Sequence, residues 1–193
     1  VKTPGSEIQR SAELRYASFD ALSHDFEKTV FNFDIVNTRL QVKDILIFAP
    51  QLRNNPALSN PNDIWYLNLV GNGTINQLNV QKLQFNGLRN TQLDANGTLA
   101  GLMNPKQAGG NFRINRFHTT QTDLALFTGQ RLSTPQINLP EEFDINGNIS
   151  GNSGRLHTNL NVNSSAGFIA VNGTFADLMN PKATSSRSFK RWM

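Results

Sequence analysis

Two stretches of this chain nearly coincide: residues 96–107 read NGTLAGLMNPKQ and residues 172–183 read NGTFADLMNPKA. The shared phrase NGT-x-A-x-LMNPK returns after 76 residues, which implies internal repetition and an architecture assembled from like units. Asn-Gly followed by Thr or Asn also occurs at Asn72-Gly73 and Asn146-Gly147, so the signatures stand 24, 50 and 26 residues apart. These steps imply a unit of roughly 25 residues, with one signature missing near residue 121. Such a unit holds two strands of about 8–10 residues plus turns. It is too short for a βαβ crossover, which needs about 30 or more. Antiparallel, meandering strands are expected, with the Asn-Gly pairs read as turns.

The segments between the signatures alternate. In Leu156-His157-Thr158-Asn159-Leu160-Asn161-Val162 the apolar residues and Thr hold the even positions and the polar ones the odd. Phe31, Phe33 and Ile35 alternate with Asn32 and Asp34; Phe143, Ile145 and Ile149 alternate with Asp144, Asn146 and Asn148; Ile169, Val171 and Phe175 share one parity. Period-two alternation gives each strand one apolar and one wet face. Between Leu78, Val80 and Leu83, Phe85 the parity flips, as a β-bulge would cause. A strand buried on both sides would be continuously apolar, whereas here the alternate positions are mostly Asn, Thr, Gln and Arg. The apolar face therefore needs a cover: a second sheet, the same sheet curled shut, or a guest in an incompletely closed trough. Candidate trough-lining residues are Phe31, Phe33, Ile35, Phe143, Ile145, Leu156, Leu160, Val162, Ile169, Val171 and Phe175.

Composition agrees with an all-β chain: Asn dominates the polar positions and charged residues make up only 17%. The balance of 18 basic and 14 acidic side chains gives +4, but Arg187, Lys190 and Arg191 lie in the last seven residues, leaving +1 for the body. That argues against a nucleic-acid surface. Cysteine is absent, which removes disulfides and thiolate chemistry. Helix is expected at Ser18, Phe19, Leu22 and Phe26, spaced as a capped short helix, and as a turn between Pro50 and Leu58. The chain divides into a lead-in (1–17), a repetitive β-sheet segment (18–184) and a basic tail (185–193), expected to be frayed or appended. Its start at Val1 suggests a segment of a longer gene product.

No pattern of catalytic or metal-binding residues emerges. His24, His118 and His157 are far apart, and His157 falls on a wet strand position. Gly151-Asn152-Ser153-Gly154 reads as a turn rather than a nucleophile loop. Asp144-x-Asn146-x-Asn148 starts like a calcium loop, but Ile149 and Arg155 stand where Gly and Glu are required. Glu141 and Glu142 would point to opposite faces of a strand, which disfavours an acid–base pair. Gly71-x-Gly73 lacks the helix that a phosphate cradle needs. Neither an enzyme nor a cofactor is expected. Trp65 and Tyr66 are the only adjacent aromatics, so a glycan-binding module would have at most one of them facing its ligand.

The runs ASFDALSHDFEKTVFNFDI, VKDILIFAPQL, LFTGQRLSTPQINLPEEFDINGNISGN and SSAGFIAVNGTFADLMNPKAT resemble the TamB family. TamB proteins are the inner-membrane-anchored subunits of the translocation and assembly module, within the AsmA-like superfamily of Gram-negative envelopes. The resemblance covers about residues 12–184. It implies a long, curled β-taco with an apolar trough, in the periplasm, on a protein anchored by an N-terminal helix absent from these residues. It implies an Omp85-type (TamA-like) outer-membrane barrel as partner, through a region not seen here, and phospholipid or unfolded outer-membrane protein as cargo. From the residues alone, a closed β-solenoid or sandwich, serving as a spacer or surface adhesin, is the alternative.

Overall fold

The computed structural model describes residues 2–9, 12–15, 28–74, 76–104, 108–128, 139–176 and 186–190. Alternation becomes antiparallel sheet. The strands are β1 (Glu7–Gln9), β2 (Ala12–Arg15), β3 (Val30–Gln41), β4 (Ile64–Thr74), β5 (Gln77–Gly87), β6 (Thr91–Ala100) and β7 (Gly109–Thr120). They continue as β8 (Glu142–Asn152), β9 (Arg155–Ser164), β10 (Gly167–Ala176) and β11 (Ser186–Lys190). All belong to one antiparallel sheet in the order β1-β3-β4-β5-β6-β7-β8-β9-β10-β11, with β2 also paired to β3, and the order does not close on itself. No second sheet is present among the described residues. The basic tail read as frayed thus contains β11, paired to β10.

The parity flip in β5 is a bulge: its register with β6 shifts between Val80 and Leu83, and its register with β4 shifts between Val70 and Gly71. Equivalent shifts fall in β3 between Ile35 and Thr38, and in β7 between Ile114 and Phe117. Each re-aims a strand so that apolar residues stay on one side despite the change of parity.

The Asn-Gly signatures are not turns. Asn72-Gly73, Asn96-Gly97, Asn146-Gly147 and Asn172-Gly173 lie inside β4, β6, β8 and β10. Three of the glycines sit where the neighbouring strand presents a bulky side chain: Gly73 opposite Phe31 and Leu78, Gly97 opposite Phe112, Gly147 opposite Leu160; Gly173 stands opposite Thr158. Gly147 adopts φ 137°, and a Cβ there would lie 2.1 Å from the Asn159 carbonyl oxygen. Only glycine permits both that conformation and that approach. True turns lie elsewhere: Asn152 Oδ1 accepts the Gly154 and Arg155 N–H groups, each at 3.0 Å, closing the β8–β9 hairpin.

Two helices interrupt the meander, α1 (Val42–Phe48) after β3 and α2 (Gln121–Thr128) after β7. Neither is expected from the alternation. The missing signature near residue 121 coincides with α2, so the 50-residue step spans two strands plus a helical excursion. Asp44 and Asp123 occupy equivalent helix positions 79 residues apart, close to the 76-residue phrase repeat. The duplicated unit is therefore strand, helix and three further strands. The expected turn between Pro50 and Leu58 appears as two 3₁₀ turns, Pro50–Leu52 and Pro56–Leu58. The helix expected from Ser18 to Phe26 lies outside the described residues.

The strand glycines can be tested by contrast. Gly167 has φ 124° and open space around its Cβ direction. Gly167→Ala is expected to lose about 1–2 kcal/mol from backbone strain alone. Gly147→Ala must also push β9 away, so it is expected to lose distinctly more. Urea unfolding of both variants checks the order.

Candidate functional site: an uncovered apolar face

In an antiparallel ladder, directly paired residues share a face, and alternate residues of a strand share it too. Tracing the pairs gives continuous apolar rows across the sheet. One runs Leu67–Phe85–Leu93–Phe117–Ile145–Val162–Ile169. The next runs Leu69–Leu83–Ala95–Ile114–Gly147–Leu160–Val171, with Ile35 joining it from β3. The register places all eleven sequence-predicted lining residues on this same face. Phe31 and Phe33 join it opposite Gly73 and Gly71, and their rings stack at 5.9 Å. Phe143 pairs with Thr119, and Leu156 pairs with Gly151 and Phe175.

Sequence reasoning missed the centre of the face. Leu83, Leu93, Leu99, Phe112, Ile114 and Ile149 line an open cavity of about 460 Å³, to which strands β5 to β9 all contribute. The alternation Leu93-Asp94-Ala95-Asn96-Gly97-Thr98-Leu99 carried the signal for β6, but the glycine obscured it. In β7, Phe112 and Ile114 precede a bulge after which Phe117 has the opposite parity but the same face.

No second layer covers the face among the described residues. Among the described residues the buried apolar side chains are Val42, Ala57, Leu58, Val80 and Ala95. Val80 and Ala95 are on the sheet; the other three belong to the helical excursions. Every predicted lining residue stays at least partly open, and Ile169 is 47% exposed. A closed core would hide such groups almost completely. Comparison with family models, with curated proteins and with solved structures gives no match.

The excursions are tied to one rim of the sheet by repeated chemistry. Val42 N–H donates to the Asp63 carbonyl (3.0 Å), and Gln121 N–H donates to the Glu141 carbonyl (2.9 Å), so each helix start is capped by the chain returning to the sheet. The third residue of each helix is an aspartate that accepts hydroxyls from a neighbouring segment. Asp44 receives Ser6 Oγ at 2.6 Å and Thr3 Oγ1 at 2.5 Å. Asp123, fully buried, receives Thr91 Oγ1 at 2.7 Å and Asn90 N–H at 2.9 Å. Thr91 and Thr119 bond to each other at 2.9 Å and lie on the apolar face at this rim, which locates the Asp123 anchor at the face's edge.

The opposite face is wet. Asn148, Asn159 and Asn172 form one cross-strand row, and Asn146 accepts an amide bond from Asn161 at 3.0 Å. His157 is exposed there, as its alternation implied, with Nδ1 2.9 Å from Thr174 Oγ1. His118 is not isolated: it is buried, with Nδ1 3.1 Å from Asp144 Oδ1 and Nε2 3.3 Å from Asn90 Nδ2. No cluster of three or more potential metal ligands occurs among the described residues, and no described helix is long and apolar enough to cross a membrane. Trp65 and Tyr66 do point apart. Trp65 packs edge-on against Phe85 at 5.4 Å, while Tyr66 is 52% exposed on the wet side.

The Ser6 and Thr3 hydroxyls hold the Asp44 carboxyl below the usual carboxylate range, with the Lys43 charge a minor contributor. A carboxyl depressed on folding adds stability that is complete above its unfolded pKa, about 4, and lost as pH falls through the folded value. Acid is therefore expected to lower the urea midpoint below about pH 4, and Asp44→Asn to flatten that fall. Removing the buried anchor is a separate matter. Asp123→Ala leaves the Thr91 hydroxyl and the Asn90 N–H without their acceptor, for an expected loss of about 2–4 kcal/mol in the same assay.

Proposed function

We propose that this chain is a non-enzymatic segment of a TamB-like periplasmic protein, in which the apolar face forms the floor of a curled trough that carries lipid acyl chains between membranes. The observation that supports this reading most directly is the face itself: contiguous over β3 to β10, apolar in its central rows, and left open by the rest of the described chain. The resemblance of the sequence to the TamB family supplies the envelope setting, the inner-membrane anchor on the longer protein and the outer-membrane barrel partner.

Between the two cargoes of that setting, the chemistry favours lipid. The sheet backbone spends its N–H and C=O groups in the ladder, and the cavity wall offers almost no polar side chains. An unfolded polypeptide laid there would leave its amides without partners, at about 1–3 kcal/mol each. An acyl chain has no such groups and gains about 0.8 kcal/mol for each buried CH₂. Similar side chains recur in each row, so neighbouring positions offer similar energy and a chain can move along the face without a deep trap. The Asn-rich outer face keeps the segment wetted.

A photoreactive residue placed at Val162 or Phe175, in cells carrying the full-length protein, is expected to crosslink phospholipid. Crosslinks to unfolded outer-membrane protein alone would transfer the proposal to that cargo, and no crosslink to any guest would remove it. Leu160→Arg and Val162→Asp are expected to leave the fold intact by circular dichroism, because both sites are only partly buried, while raising envelope permeability. Unfolding by either change would mean instead a sealed core, where an unpaired charge costs several kcal/mol.

A further inference from the structure

We propose that the wet face carries a saccharide site centred on Tyr66, independent of the apolar face and of any lipid role. Two adjacent cross-strand rows form it: Tyr66–Asn86–Gln92 and Asn68–Gln84–Asp94–Arg116. Between them lies an open depression of about 310 Å³, at the lower end of the range for small-molecule sites.

Its floor is organised in advance. Asn37 N–H donates to Asn68 Oδ1 at 2.6 Å, Asn68 Nδ2 donates to Gln84 Oε1 at 3.1 Å, and Gln84 Nε2 donates to Asp94 Oδ2 at 2.7 Å. The other Asp94 oxygen accepts Asn115 Nδ2 at 2.8 Å. The Asn115 and Gln84 amides hold the Asp94 carboxyl below its usual range, so it stays ionised and fixes the direction of the chain. The wall is different in kind. The amides of Asn86 and Gln92 and the Tyr66 hydroxyl have no hydrogen-bond partner among the described residues. Each amide offers two donors and an acceptor.

An exposed aromatic ring beside uncommitted amides fits a molecule with one apolar face and a rim of hydroxyls, and a pyranose ring has both. Asp94 stands opposite Arg116 in the ladder, and Arg116 Nε lies 3.7 Å from Asp144 Oδ1, so carboxylates balance the one cation of the depression, which favours a neutral sugar over a phosphate or an acidic peptide. The tyrosine would stack on the C–H face of the ring while Asn86, Gln92 and Arg116 bond its hydroxyls.

The test is an NMR titration of the isotope-labelled chain with two lipid-free probes, an N-acetylglucosamine tetramer and maltotetraose. At least one is expected to shift resonances of Tyr66, Asn86, Gln92 and Arg116, and the one that does separates an N-acetylated glycan from a plain hexose polymer. Tyr66→Ala, at an exposed position, is expected to weaken that binding at least tenfold, and Tyr66→Phe, which keeps the ring, by less than threefold. No shift at these residues with either sugar in the millimolar range, or equal binding by the Tyr66→Ala protein, would overturn the site.

Discussion

The backbone ladder joining β3 to β10 carries this structure, because few apolar side chains are buried among the described residues. Hydrophobic burial normally dominates folding, yet among the described residues only two apolar side chains of the apolar sheet face, Val80 and Ala95, are buried, beside a few threonines such as Thr91 and Thr119. Neighbouring strands instead gain from hydrogen bonds and from cross-strand pairs on both faces, each pair contributing about 0.2–1 kcal/mol. Such a sheet grows by addition: each strand is stabilised mainly by the two beside it, as in solenoid proteins. The same property leaves an apolar sheet face that the described residues do not cover.

The strand pattern was readable in the sequence because alternation is a local signal. Phe31, Leu156 and Ile169, from three separate strands, were placed on one side by parity alone, and the β5 bulge betrayed itself by a flip. What stayed hidden was set by distant partners. Val42-Lys43-Asp44-Ile45-Leu46-Ile47-Phe48 is rich in β-branched and aromatic residues and reads like a strand, but its helix is capped by Asp63 and Pro61 carbonyls about 20 residues on. The pairing of His118 with Asp144 and Asn90 is likewise a product of register, invisible to a scan along the chain.

The Asn-Gly signatures misled for an instructive reason. Asn-Gly marks hairpin turns when its flanking strands fold back on each other. Here the dipeptide sits in mid-strand, the asparagine on the wet face and the glycine on the oily one, in three of four cases opposite a bulky neighbour. The glycine makes room where side chains would crowd, and lets adjacent backbones approach. The fixed phrase in the sequence is thus a packing device rather than a reversal of the chain.

That device also acts as a key. In a duplicated protein, many strands look alike, and sliding one by two residues would preserve the division between oily and wet sides. Such a slip would bring Leu160 out of line with Gly147 and set a Cβ-bearing residue against the Asn159 carbonyl, whose oxygen lies only 2.1 Å from where a Cβ at Gly147 would stand. The empty positions therefore proofread alignment strand by strand, so a ribbon of near-identical segments still has one way to zip together.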